Sequence, residues 1–440
     1  MNSVHVYCVF SLIGLIAFAG KPARAGLDDA LQAPPAHAVA KARFPGDSLD
    51  GPDPLSSFEK LILTGGLGTH FASYLDQSSF VQVVSTSKSI RAELLSNGAV
   101  HYLRRKSPNI LRPVNLLTFR QFKRRSHLLI TDAVAIYLRT QGEFLRFCHH
   151  PEAARFSQIR IKFGFVPNDL TAGHWSQLQY LKNLKTLNLT DNHLNAMGAV
   201  AFSESLIYLP QLKHLNLMVN HIEDAGLIAL SQALRFTPRL ESLDLDCNQI
   251  GDLGIITLSQ NLIHTPKLTV LDLNLNDFGD EGAIALGAML HRVPRLKQLQ
   301  VMHNDLREPG GVGLAKGLEH LTELRFLNVS NNSLRTAGLE AISGTFKKMP
   351  HLMLLDLGAN ELDDAAAVPL AENLKFLPEL QGLNISGNEL TDLGLVRIIR
   401  SLKDLKKLKR FQLIDHELDQ EGALALAELA LTQPELEILY

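Results

Sequence analysis

From Phe156 to Tyr440 the chain repeats one hydrophobic and polar pattern every 28 residues. Asn192, Asn220, Asn248, Asn276, Asn304, Asn332, Asn360 and Asn388 stand 28 apart, and His416 takes the ninth place. The leucine eight positions earlier keeps the same step from Leu184 to Leu436, with no insertion. A fixed period in this range marks stacked units, each too small to bury its own apolar face. The unit LESLDLDCNQIGDLGIITLSQNLIHTPK from Leu240 shows the grammar. Leu240, Leu243 and Leu245 set one side of a short strand. Asn248 follows at the turn, where an amide both donates and accepts. Asp252 stands where an N-cap belongs, with Asp224, Asp280, Asp364, Asp392 and Thr336 in the same column. Gly254 heads a glycine column that suits close backbone approach between turns. Leu258 and Leu262 give the helix an inward stripe, and Pro266 stops it.

Each unit therefore reads as strand, turn, helix and return. Strands about 4.8 Å apart and helices about 10 Å apart force a curve, with a parallel sheet inside and helices outside. The pattern LxxLxLxxN, then Gly, Leu and Leu, resembles the ribonuclease-inhibitor-like class of leucine-rich repeats over about two-thirds of the chain. The resemblance implies an α/β solenoid, or horseshoe, that binds a macromolecule on its concave face. Phe156, Ile159 and Ile161 keep the phase with Gly164 in place of Asn, a degenerate first repeat.

Upstream, four segments are expected. Residues 1–25 contain the apolar run VYCVFSLIGLIAFA and the small-x-small site Ala23-Arg24-Ala25, which reads as a secretory signal too short to span a bilayer. No Lys or Arg precedes the run. Residues 26–54, rich in Ala, Pro, Gly and Asp, read as a linker. Residues 55–155 read as a small helical module, and 156–440 as the repeats. Within the module, HFASYLDQSSFVQVVSTSKSIRAELL from His70 resembles an F-box in its SYLD turn and SKxxR segment (residues 70–95). It lacks the Leu-Pro-x-Glu opening, and Ile90 stands where Trp is common. That resemblance implies a substrate receptor for a cullin-type ubiquitin ligase, with Phe71, Tyr74, Leu75, Phe80 and Val84 facing the adaptor. The alternative is a cap that shields the first repeat.

Charge divides the chain. Residues 1–155 carry a net +7 and residues 156–440 a net −9. His101 to Arg125 holds eight basic residues and no acidic one, with Phe119 and Phe122 interleaved. A solvated face is the expectation here rather than a nucleic-acid site. Three cysteines without a CxxC, and the adjacent Cys148-His149-His150, offer no metal cluster.

The strand residues between the leucines point into the horseshoe. The column four before the asparagines is all amide or carboxylate: Asn188, Asn216, Asp244, Asp272, Gln300, Asn328, Asp356, Asn384, Gln412. Asp244, Asp246 and Asp272 form an acidic cluster expected to draw a basic partner group. His214, Met218, Met302, Phe326 and Leu354 offer further contact, the last two as an apolar anchor. Asn188, Asn328 and Asn384 each open an Asn-x-Ser/Thr sequon on this column, so glycans would fill the face; a bacterial exported protein fits better than a glycosylated extracellular one. No nucleophile elbow, phosphate loop or HExxH is present. The expectation is a protein-interaction scaffold, not an enzyme, with no cofactor and no stable membrane span. Small-GTPase activators share the repeat class; Arg160 and Lys162 in the first strand would then be the accessible basic groups.

Overall fold

Every 28 residues the chain makes one strand, one turn, one helix and one return, and successive strands pair in parallel. The computed structural model describes residues 116–125, 133–165 and 170–440. The expected secretory signal, the expected linker and the F-box-like residues Phe71, Tyr74, Leu75, Phe80 and Val84 lie outside them. Among the described residues one sheet of 13 strands runs in sequence order. The strands are β1 (Leu116–Thr118), β2 (Ala133–Leu138), β3 (Gln158–Phe163), β4 (Thr186–Asn188), β5 (His214–Asn216), β6 (Ser242–Asp244), β7 (Val270–Asp272), β8 (Gln298–Gln300), β9 (Phe326–Asn328), β10 (Leu354–Asp356), β11 (Gly382–Asn384), β12 (Arg410–Gln412) and β13 (Glu437–Leu439). Helices follow the strands in alternation. The architecture is the α/β solenoid that the period implies.

The sheet begins earlier than residue 156. β1 and β2 belong to it, so the part of residues 55–155 that is described is α/β rather than helical. The spacing explains why the period does not reveal them. Leu116 pairs with Ala135 and Val134 with Ile159, offsets of 19 and 25, before the 28-residue step sets in with Gln158 and Thr186. The far end slips too. Arg410 pairs with Glu437 and Phe411 with Ile438, an offset of 27, so Ile438 rather than Leu439 continues the inner row.

Between these ends the leucines do what their spacing implies. Leu240, Leu243, Leu245, Leu258 and Leu262 are buried, as are their equivalents in neighbouring repeats. The asparagines form a ladder. Asn248 Nδ2 donates to the carbonyls of Leu217 (3.0 Å), Leu245 (2.9 Å) and Asp246 (3.0 Å). Its Oδ1 accepts from Asn220 N at 3.1 Å and Ile222 N at 3.4 Å. One side chain thus serves backbone groups of two repeats that no water reaches. His416 replaces only part of this, with Nε2 3.1 Å from the Ile385 carbonyl.

The aspartate column works differently from its expected role. Asp252 is the first residue of its helix, Asp252–Asn261, and Gly251 is the N-cap. The carboxylate reaches forward instead, accepting from Gly279 N (2.8 Å) and Gly282 N (2.7 Å) at the start of the next helix. Asp224, Asp280, Asp364 and Asp392 repeat this arrangement. Each aspartate caps the orphan N–H groups of its neighbour, where the positive end of the helix dipole also favours an anion. The glycine column follows from it. A Cβ at Gly254 or Gly282 would lie within 2.8 Å of the incoming carboxylate oxygen. Where Thr336 stands in the aspartate column, the next helix carries Ala366 in the glycine column. Asp363 then caps its own helix, accepting from Ala366 N at 3.0 Å and from Thr336 Oγ1 at 2.6 Å.

The first turns of the solenoid are closed by aromatic side chains. Phe122, Phe144, Phe147, Phe156 and Trp175 are fully buried. Phe122 meets Phe147 edge-on at 5.1 Å, Phe144 meets Trp175 at 5.4 Å, and Trp175 meets Phe202 at 5.0 Å. Phe119 and Phe122, interleaved with the basic run, are therefore core residues, not a stacking surface.

Candidate functional site

The amide and carboxylate column crosses the concave face, and its chemistry is first of all that of a turn. Each Asn or Asp oxygen of the column accepts the backbone N–H two residues on, as the chain leaves the strand; beside Gln300 and Gln412 that N–H goes instead to Asn274 Oδ1 and Ser386 Oγ. Asn188 takes Thr190 N at 3.0 Å, Asp244 takes Asp246 N at 3.2 Å, Asp272 takes Asn274 N at 3.1 Å and Asp356 takes Gly358 N at 3.1 Å. This is an Asx turn, which Asn and Asp serve equally well. The turn explains why the column is polar. It does not explain why two neighbours should both be carboxylates.

That happens at one place in the described column. Asp244 and Asp272 are register partners on β6 and β7, one strand spacing apart. Amides brace the pair from outside: Asn216 Nδ2 donates to Asp244 Oδ2, and Gln300 Nε2 to Asp272 Oδ2 at 2.6 Å. Asp246 completes the cluster. It is 7% exposed, and its Oδ1 has no hydrogen-bond partner among the described residues. Burial, then the charges of Asp272 and Asp244, pushes the Asp246 carboxyl well above the usual carboxylate range; burial and Asp244 do the same to Asp272. Asp356, further along, is braced by Asn384 Nδ2 at 2.9 Å, and its burial raises its pKa to about 6.

The other expected contact residues are scattered by the structure. His214 is exposed, and Met302 and Leu354 are half-buried. Phe326 is only 6% exposed and Met218 only 9%, so the expected apolar anchor is not open surface. Phe326 lies between its register partners Gln298 and Leu354 in the middle of the sheet. Asn328, one of the three sequons, is buried, and its Oδ1 accepts from Ser330 N and Oγ. Lys162 is held by Asp191 at 2.6 Å. Burial lowers the Arg160 pKa. Cys148 is buried, which drives its thiol pKa strongly upward. No group of three metal-ligating side chains gathers among the described residues. Nor, among them, is any helix long and apolar enough to cross a membrane.

A sequence profile described as "Leucine Rich repeat" matches residues 180–203, 208–231, 238–259, 264–287, 320–343 and 379–398. These units are leucine-rich repeats. Among solved structures, the solenoid is similar to an internalin (inlF) from Listeria monocytogenes str. 4b F2365, 17% identical over 70% of this chain and 78% of that one, with a TM-score of 0.46. It is also similar to a chain in the octameric complex of Latrophilin 3, Unc5D and FLRT2, 19% identical over 58% of this chain and 83% of that one, with a TM-score of 0.37. No curated protein matches the chain in sequence.

Proposed function

We propose that the concave face of the leucine-rich repeats binds a protein ligand and that Asp244, Asp246 and Asp272 receive a Lys or Arg side chain from it. Stacked repeats use such concave surfaces for extended binding. The observation that carries the reading is the adjacency of Asp244 and Asp272. An amide at either position would keep the Asx turn through its single oxygen, without the repulsion. Two neighbouring carboxylates, with the unpartnered Asp246 Oδ1 beside them, make a place where an incoming cation relieves a standing cost. Export through residues 1–25 is compatible with this scaffold role and forms part of the proposal.

The raised carboxyl groups give the reading a pH signature. A carboxyl with a raised pKa keeps its proton to higher pH, and an arriving cation displaces that proton. Affinity for a basic ligand therefore rises with pH as these carboxyls lose their protons and falls toward acid. The test is calorimetric titration of the full chain with an oligoarginine peptide, beside Asp244→Asn with Asp272→Asn. The variant keeps every turn bond, and its affinity should drop at least about tenfold, or ~1.4 kcal/mol. Equal affinity of wild type and variant would place the ligand elsewhere.

A further inference from the structure

A second surface lies on the edge opposite the turns, where each helix ends and the chain returns to the next strand. Six return segments read LRFTPR (from 234), LIHTPK (262), LHRVPR (290), FKKMPH (346), LKFLPE (374) and LKDLKK (402). Five of the six carry a net positive charge, and LKFLPE balances Lys375 with Glu379, although the solenoid as a whole is acidic. The turn edge has the opposite sign, with sequences such as DFGDE from 277 and ELDD from 361. Because the repeats stack in register, these segments share one edge of the solenoid. The segment LEHLTE from 318 interrupts the band.

Helix dipoles account for part of this pattern, since a cation near a helix C-terminus is favourable. They do not account for the rest. Arg239, Lys267 and Arg295 lie beyond the helix, after a proline, and are exposed. Arg292, Arg295, Lys347 and Lys348 make no ion pair among the described residues, whereas Lys213, Lys297 and Lys407 on the same edge are each matched with a glutamate. Large apolar side chains stand exposed among these charges: Ile207 at 49%, Tyr208 at 42%, Ile263 at 49% and Phe376 at 38%. Lys375 lies 5.2 Å from the centre of the Phe376 ring. Ile207 and Ile263 occupy the same column two repeats apart; Tyr208 and Phe376 share the next column.

We infer that this return edge docks on an anionic lipid surface, with the lysines and arginines over the headgroups and Ile207, Tyr208, Ile263 and Phe376 entering the interface. The charge sign selects anionic partners. The exposed aliphatic side chains select a lipid surface over nucleic acid, because isoleucine neither stacks on a base nor reads its edge, while it gains from the headgroup–acyl boundary. Cations repeated along a stiff edge also match mobile headgroups. The inference is independent of the concave face.

The test is co-sedimentation of the full chain with vesicles of phosphatidylcholine alone and with about a third phosphatidylserine. Binding should require phosphatidylserine and weaken with added salt. The combined variant Arg292→Glu, Arg295→Glu, Lys347→Glu, Lys348→Glu should lose at least tenfold, or ~1.4 kcal/mol. Ile263→Ser with Phe376→Ser should lose severalfold while leaving the charge intact. Both variants should keep the wild-type circular dichroism. Equal binding to neutral vesicles, no vesicle binding, or unaltered binding by folded charge-reversal protein would overturn the inference. Tighter capture of a duplex oligonucleotide than of vesicles would overturn it in favour of nucleic acid.

Discussion

Residues 133–180 and the repeats from Leu184 onward build adjoining parts of one parallel sheet with different materials. The repeats bury leucine against leucine and tie each turn with the same asparagine. The earlier segment buries phenylalanine and tryptophan in edge-to-face contact, and Gly164 stands where the ladder asparagine would be. A repeat has a neighbour of its own shape on either side, so one small side chain at one spacing fills each layer. The irregular offsets of 19 and 25 residues leave layers of unequal thickness, and large rings fill them.

The comparison can be broken most strongly at its aromatic end. Trp175→Ala removes a fully buried ring that touches Phe144, Phe163 and Phe202. Its Nε1 has no hydrogen-bond partner among the described residues, so the loss counted there is one of packing. Denaturant unfolding should show a loss of about 3–5 kcal/mol. Leu243→Ala in the regular stack should cost less. A smaller effect for Trp175 than for Leu243 would refute the claim that rings close this end.

The ladder is the next target. Asn248→Ala removes the acceptor of the Asn220 and Ile222 N–H groups and one donor to each of the Leu217, Leu245 and Asp246 carbonyls, and should cost about 2–4 kcal/mol in the same measurement. His416→Asn should do the reverse, by roughly 1 kcal/mol, because histidine satisfies only one carbonyl there. A neutral Asn248→Ala would mean that water reaches the turns.

The smallest effects test the coupling between the aspartate and glycine columns. Gly254→Ala drives a methyl against Asp224 and should cost about 1–3 kcal/mol. The cost should shrink in an Asp224→Ala background, and the double-mutant cycle reads the difference. Ala366→Gly, where the preceding repeat has Thr336, should cost only about 0.5–1 kcal/mol, the ordinary penalty for glycine in a helix. Full cost for Gly254→Ala without Asp224 would show that Ile250, also close to the added methyl, sets the column instead.

Much of this architecture was legible in the chain. Repeat length, strand and helix positions, the buried leucines and the turn asparagine follow from spacing, because a repeated unit meets the same environment each time. One reading failed because it treated a repeat as if it stood alone: Asp252 looks like the cap of its own helix and caps the next one. That bond runs between repeats, and its atoms meet only after folding. Phe326 was misplaced because alternation gives the side of a strand but not how fully its neighbours cover it.

The sequence by itself determined the solenoid, its register from β4 to β12 and the charge sign of each edge, because those follow from a period and from local preference. Tertiary structure alone decided that the described sheet extends before residue 156, that Ile438 continues the inner row, which repeat each aspartate serves, and that Asp246 is buried beside the Asp244 and Asp272 pair. Those facts depend on offsets, burial and distances between repeats, and such quantities arise only when one unit is stacked on another.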